Sequence, residues 1–212
     1  MTISMHTSRF TTNGFEHDTH FSSCKVNEEI LMFGENEVLS FDLNEMKWSS
    51  HSKIPVPVKY PTSVLHNNSV YVVDGPISTT LRYDPREGLW ERCGSTLFDG
   101  LNAAVCTYNE TIMKAGGSFI FDNENGVFDE VEHGRCQLFE TRNNSWREVG
   151  ELPLPLSRSY CCQIQNMVQL FGGDNDEDIV QTIYNFDGTN ETWSLSNIEI
   201  PPNSFVYGLN FI

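Results

Sequence analysis

With 212 residues, 39% of them hydrophobic and including 14 Phe, 7 Tyr and 4 Trp, the chain suffices for one domain with a sizeable core and is too apolar for disorder. Its net charge of −16 argues against a nucleic-acid backbone as partner, because phosphate contacts need clustered Lys and Arg, and favours protein or peptide ligands of basic character. No stretch approaches the about 18 uninterrupted apolar residues of a membrane helix, and "MTISMHTSRFTTNGFEHD" at the start lacks the apolar centre of a secretory signal.

Along the chain, residues 1–19 carry no repeated signature, although "MHTSRFTT" at 5–12 reads as an extra strand. Four related stretches follow: "HFSSCKVNEEILMFGE", "YPTSVLHNNSVYVVDG", "NAAVCTYNETIMKAGG" and "RSYCCQIQNMVQLFGG". They align without a gap. Their eighth column is polar (Asn27, Asn67, Asn109, Gln165), and their eleventh opens a second apolar run (Ile30, Val70, Ile112, Val168). This pattern predicts strand, tight turn, strand, then a glycine-rich exit at Gly34, Gly75, Gly116-Gly117 and Gly172-Gly173.

Each stretch leads to a second signature, in which an aromatic is followed by an acid and, after five further residues, a tryptophan: "FDLNEMKW", "YDPREGLW", "FETRNNSW" and "FDGTNETW". The acids are Asp42, Asp84, Glu140 and Asp187, and the tryptophans are Trp48, Trp90, Trp146 and Trp193, spaced 42, 56 and 47 residues apart. The acid is suited to accept hydrogen bonds from turn amides, and the Trp to fill the space between twisted sheets. Four strands per unit at such a spacing predict an all-β propeller with blades over about 20–54, 58–97, 102–153 and 158–200. Prolines separate most blades (Pro55 and Pro57, Pro153 and Pro155, Pro201-Pro202). The third blade carries an insertion, "SFIFDNENGVFDEVEHGRC", that reads as its own hairpin and as a place for partner contacts. "SFVYGLNFI" at 204–212 resembles a first strand of a further or closing blade.

This combination resembles the kelch repeat, with residues 151–193 as the nearest copy; the first two units depart from Gly-Gly with Gly34-Glu35 and Asp74-Gly75. The resemblance implies a non-catalytic protein-interaction scaffold, of the kind that serves as the substrate-recognition part of a cullin-type ubiquitin ligase adaptor, although no BTB domain is present in this sequence. It also implies that residues at the strand mouths, His20, Tyr60, Asn102 and Arg158, form the partner-binding face. Arg158 matches in type and position an arginine with which such adaptors grip acidic peptides. Alternatives are a small kelch-type enzyme acting on a sugar or small metabolite, and an actin-associated kelch protein.

No catalytic, cofactor or metal set is expected. The six histidines are scattered, and the nucleophile-elbow, zincin and P-loop patterns are missing from the sequence. Asp174, Asp176 and Asp178 resemble the start of a calcium loop, but Ile179 and Asn185 stand where Gly and Glu belong. Cys24, Cys93, Cys106, Cys136, Cys161 and Cys162 form no C-x-x-C pair and read as reduced thiols of a cytoplasmic protein. Four N-x-S/T sequons, at Asn67, Asn109, Asn143 and Asn190, keep a secreted location open, although all four fall at predicted turns.

Overall fold

The computed structural model describes residues 21–73, 78–122, 128–176, 178–198 and 200. The strands expected at 5–12 and 204–212, together with His20 and Gly75, lie outside them. Blade one comprises β1 (Ser22–Val26), β2 (Glu29–Phe33), β3 (Val38–Asp42) and β4 (Lys47–Ser50). Blade two comprises β5 (Thr62–His66), β6 (Ser69–Val73), β7 (Thr80–Asp84) and β8 (Leu89–Arg92). In blade three, β9 (Ala104–Tyr108) and β10 (Thr111–Ala115) are followed by a separate hairpin, β11 (Ser118–Asp122) and β12 (Phe128–Glu132), before β13 (Cys136–Glu140) and β14 (Ser145–Val149) close the sheet. Blade four comprises β15 (Tyr160–Ile164), β16 (Met167–Phe171), the short hairpin β17 (Asp174–Asn175) and β18 (Asp178–Ile179), then β19 (Ile183–Asp187) and β20 (Thr192–Leu195).

All pairings are antiparallel, and each blade keeps its strands in sequence order. Turn chemistry explains this regularity. The first hairpin of every blade turns on a left-handed residue, Asn27, Asn67, Asn109 or Gln165, at φ 54, 50, 49 and 56. Three of the four are asparagine, the non-glycine residue that tolerates this region best. The outer turns use Met46, Gly88, Asn144 and Glu191, each two residues before the tryptophan, at φ 54, 66, 51 and 54. The acids stabilise these turns: Asp42 accepts the amides of Asn44 and Glu45, Asp84 that of Arg86, and Asp187 that of Thr189. The longer Glu140 instead accepts from the Asn143 side chain at 2.6 Å.

Packing then joins the blades. The first strands form an inner row, with β1 beside β5, β5 beside β9 and β9 beside β15, so that the described residues trace an arc of four blades. One core fills each seam: Leu31, Phe33, Val70 and Tyr83 between blades one and two, Tyr71, Ile112 and Phe139 between two and three, and Met113, Leu138, Leu170 and Phe186 between three and four. Within each blade the aromatic and the tryptophan form a cross-strand pair, at centroid distances of 4.9, 4.8, 5.2 and 5.1 Å from blade one to blade four.

The tryptophans are not equivalent. Trp90 meets Phe33 of blade one edge-on, Trp146 donates its indole N–H to Thr80 Oγ1 and the Gly94 carbonyl of blade two, and Trp193 joins the core containing Cys136 and Val149 of blade three. Each therefore packs on the preceding blade. Trp48 has no preceding blade among the described residues and is 39% exposed.

A seam contact runs the opposite way, four residues after the tryptophan. Ser52 Oγ donates to the Gly88 carbonyl, the Gly94 amide to Asn144 Oδ1 and the Gly150 amide to the Glu191 carbonyl, in each case at the left-handed outer-turn residue of the next blade. A Cβ on Gly94 would lie 2.3 Å from the Asn144 carbonyl oxygen, and one on Gly150 2.2 Å from that of Glu191. Glycine stands at both positions because backbone approaches backbone there.

The Gly-Gly exits have a different reason. Gly116 and Gly117 lie at φ 63 and 111, Gly172 and Gly173 at φ 58 and 117, conformations that side chains oppose. They turn the chain out of the inner hairpin into the inserted one.

Candidate functional site

At the mouths of the first strands, Tyr60, Asn102 and Arg158 share a left-handed backbone, at φ 52, 55 and 53. This repeated turn aims each chain segment into its inner strand. It also brings two of the four candidate residues together, since the Arg158 amide donates to the Asn102 carbonyl across the seam at 2.9 Å. His20 lies outside the described residues.

Arg158 sits in a polar clasp. Its Nη2 donates to both carboxylate oxygens of Glu130, at 3.2 and 3.1 Å, and its Nη1 to Asp174 Oδ2 at 3.1 Å. Glu130 comes from the blade-three hairpin and also accepts from Ser118 Oγ at 2.5 Å and Asn102 Nδ2 at 3.3 Å. Two residues on, Glu132 accepts from Ser157 Oγ and from the Asp176 amide, both at 3.3 Å. Asp174 is fixed independently, because β17 exchanges both backbone hydrogen bonds with Ser157. The guanidinium is half-exposed, with Glu130 and Asp174 about one-third exposed, so the clasp opens to solvent.

Sequence reasoning singled out Arg158 and Asn102 but not Glu130 or Glu132. The signal was present in "FDEVE": the two glutamates alternate along β12 and share one face of the hairpin. The aspartates of the calcium-like stretch serve the same clasp, Asp174 through its carboxylate and Asp176 through its amide. Among the described residues, no three His, Cys, Asp or Glu side chains converge as metal ligands.

Below the mouth, at the seam of blades two and three, lies a buried polar group that sequence reasoning passed over. His133 stacks on Phe119 at 4.4 Å, meets Phe98 edge-on and accepts the Arg135 amide at Nδ1, 3.2 Å away. Burial pushes its imidazole down to about 4, helped by the charges of Lys114 and Arg135 and opposed by the Asp99 backbone. Gln137, fully buried, accepts the Leu97 amide at 2.9 Å. Five thiols are likewise held in the protonated form by burial. Burial raises Cys24, Cys93 and Cys162 to about 11 and Cys136 to about 12, and raises Cys161 strongly beside Cys106.

Comparison with known proteins finds relatives named for the kelch repeat and a solved structure of the same fold. No family model matches the chain. Kelch repeat protein M-T8 of Myxoma virus (strain Lausanne) is 27% identical over 113 residues, 50% of this chain and 22% of that protein. Kelch-like protein 23 of Mus musculus is 22% identical over 156 residues, 69% of this chain and 27% of that protein. A solved structure titled "Structure of YjhT" superposes with a TM-score of 0.69 at 14% identity, covering 87% of this chain and 66% of that one.

The fold is a kelch-type β-propeller. A further relative of this propeller, N-acetylneuraminate epimerase of Haemophilus influenzae (strain PittEE), is 24% identical over 172 residues, 68% of this chain and 45% of that protein. The chain thus spans less than half the length of the curated relatives it matches. The epimerase match overturns the expectation of a non-catalytic chain. That expectation relied on missing linear motifs, whereas a propeller assembles its polar groups from loops of separate blades, as the clasp of Asn102, Glu130, Arg158 and Asp174 does here.

Proposed function

We propose that the propeller is an enzyme acting on a small carboxylated sugar, with Arg158 taking the carboxylate at the strand mouths. The observation that carries this reading is the Arg158 clasp, in which a half-exposed guanidinium faces solvent beside Asn102 with its fork already arranged for carboxylates. Charge favours a small monoanion over an acidic peptide. One arginine in a chain of net charge −16 matches a single carboxylate, whereas a polyacidic chain would be repelled. The similarity to N-acetylneuraminate epimerase, whose name specifies an acidic sugar, supports the same class. Glu132 and Asp174 supply carboxylates at the same place, the residue type that epimerisation needs to move a proton.

Titration calorimetry with N-acetylneuraminate and the uncharged N-acetylmannosamine, alongside proton NMR of sugar interconversion, tests this. The acidic sugar is expected to bind, and Arg158→Ala to weaken it at least about tenfold while leaving the circular dichroism spectrum unchanged. Equal binding of both sugars, or of parent and variant, would overturn the reading.

A second reading, protein interaction, has its own support in the kelch-named relatives and in the blade-three hairpin, where Ile120, Phe121 and Val131 are exposed. Deletion of 119–131 would then abolish partner capture without weakening sugar binding.

A further inference from the structure

We infer that Glu130 is a tethered stand-in for the ligand's carboxylate, and that Glu130 and the part of the blade-three hairpin beyond the Ser118–Leu101 bridge are displaced when ligand binds. The inference rests on the reading of Arg158 as a carboxylate anchor and adds which contact must yield.

Both terminal nitrogens of Arg158 are engaged, Nη1 by Asp174 and Nη2 by Glu130. The seat where most donors converge, Nη2 together with Asn102 Nδ2 and Ser118 Oγ, is filled by Glu130, so a carboxylate that takes this seat must replace it. Asp174 is a poor candidate for release, because the backbone of its own strand is hydrogen-bonded in both directions to Ser157, the residue before the arginine. Separating Asp174 from Arg158 means breaking that bridge.

Glu130 is attached differently. Its strand, β12, pairs only with β11 in a two-stranded sheet outside the four blades. Its carboxylate is held by Arg158, by Ser118 Oγ and by the 3.3 Å contact from Asn102 Nδ2, and its hairpin by the 3.3 Å contacts to Glu132 and, at its base, by the backbone bridge between Ser118 and Leu101. Glu130 pairs with Ile120, two residues beyond that bridge, and can withdraw without breaking it. Its contacts to Arg158 and Asn102 are solvent-exposed and of the weakly stabilising kind. The bidentate seat on Nη2, together with the Asn102 amide, is also the right set for a foreign carboxylate. Ligand and Glu130 therefore compete for the same donors, and the hairpin makes occupancy selective for an anion able to outcompete a carboxylate already in place.

Glu130→Gln tests this, since it keeps the shape and one acceptor oxygen while removing the competing charge. N-acetylneuraminate is expected to bind this variant about tenfold tighter than the parent. Glu148→Gln, which removes an equal charge from the Arg135 pair elsewhere, should leave affinity unchanged. Ligand should also speed amide exchange at 120–122 and 129–130 in the parent. Equal or weaker binding to Glu130→Gln, an equal gain in Glu148→Gln, or ligand-induced protection of the hairpin would each overturn the inference while leaving Arg158 as anchor. No binding to either parent or Glu130→Gln would remove the anchor itself, and the inference with it.

Discussion

His133 shows how one residue ties the blade-two seam to solution conditions. Its ring is held neutral between Phe98 and Phe119, with Nδ1 fixed by the Arg135 amide and with Lys114 of β10 and Arg135 both opposing a charge there. The folded-state value, about 4, lies below the ordinary value of 6.5. The unfolded chain therefore binds the proton more readily. The stabilisation is complete above pH 6.5 and is lost as pH falls toward 4, amounting to roughly 3 kcal/mol when fully lost. Urea midpoints measured at pH 7.5 and 4.5 should fall further for the parent than for His133→Gln. An equal fall in both would place the acid sensitivity elsewhere. This histidine could not be recognised in the sequence, because "EHGRC" gives no hint that two distant phenylalanines close over it.

At the scale of the element, the tryptophans carry the seams unequally. Trp146 fills a buried position on blade two and satisfies Thr80 and the Gly94 carbonyl at once, whereas Trp48 on β4 is 39% exposed. Trp146→Phe removes the donor and leaves a buried acceptor unmatched, so a loss of about 1–3 kcal/mol is expected in chemical denaturation. Trp48→Phe should stay within about 0.5 kcal/mol. Comparable losses for the two would contradict the seam assignment. Hairpins and outer turns were legible in the sequence because they depend on local chemistry: Asn27, Asn67 and Asn109 at left-handed turns, and acids Asp42, Asp84 and Asp187 on turn amides. The seam contacts of Ser52, Gly94 and Gly150 were not, since one side chain and two glycines do the same task with no letter common to all three. The clasp was half legible. Arg158 and Asn102 stood in an aligned column, but their partner Glu130 comes from an insertion that the repeat does not contain.

For the whole molecule, stability belongs to neighbouring pairs of blades rather than to one central core. Protection should therefore be graded. Amides of β10 and β13, buried between two neighbours, should exchange slowest, and those of β4, whose four residues are all exposed, fastest. Hydrogen exchange read by mass spectrometry resolves the two, and uniform exchange across all four sheets would indicate a single cooperative unit. The seams also have a sense of direction. Trp90, Trp146 and Trp193 reach backward while Ser52, Gly94 and Gly150 reach forward, so the two sides of a blade are lock and key rather than mirror twins. A chimera that exchanges one blade for another keeps each lock opposite a key. A blade joined front to front would set indole against indole, and the arc can be lengthened only head to tail.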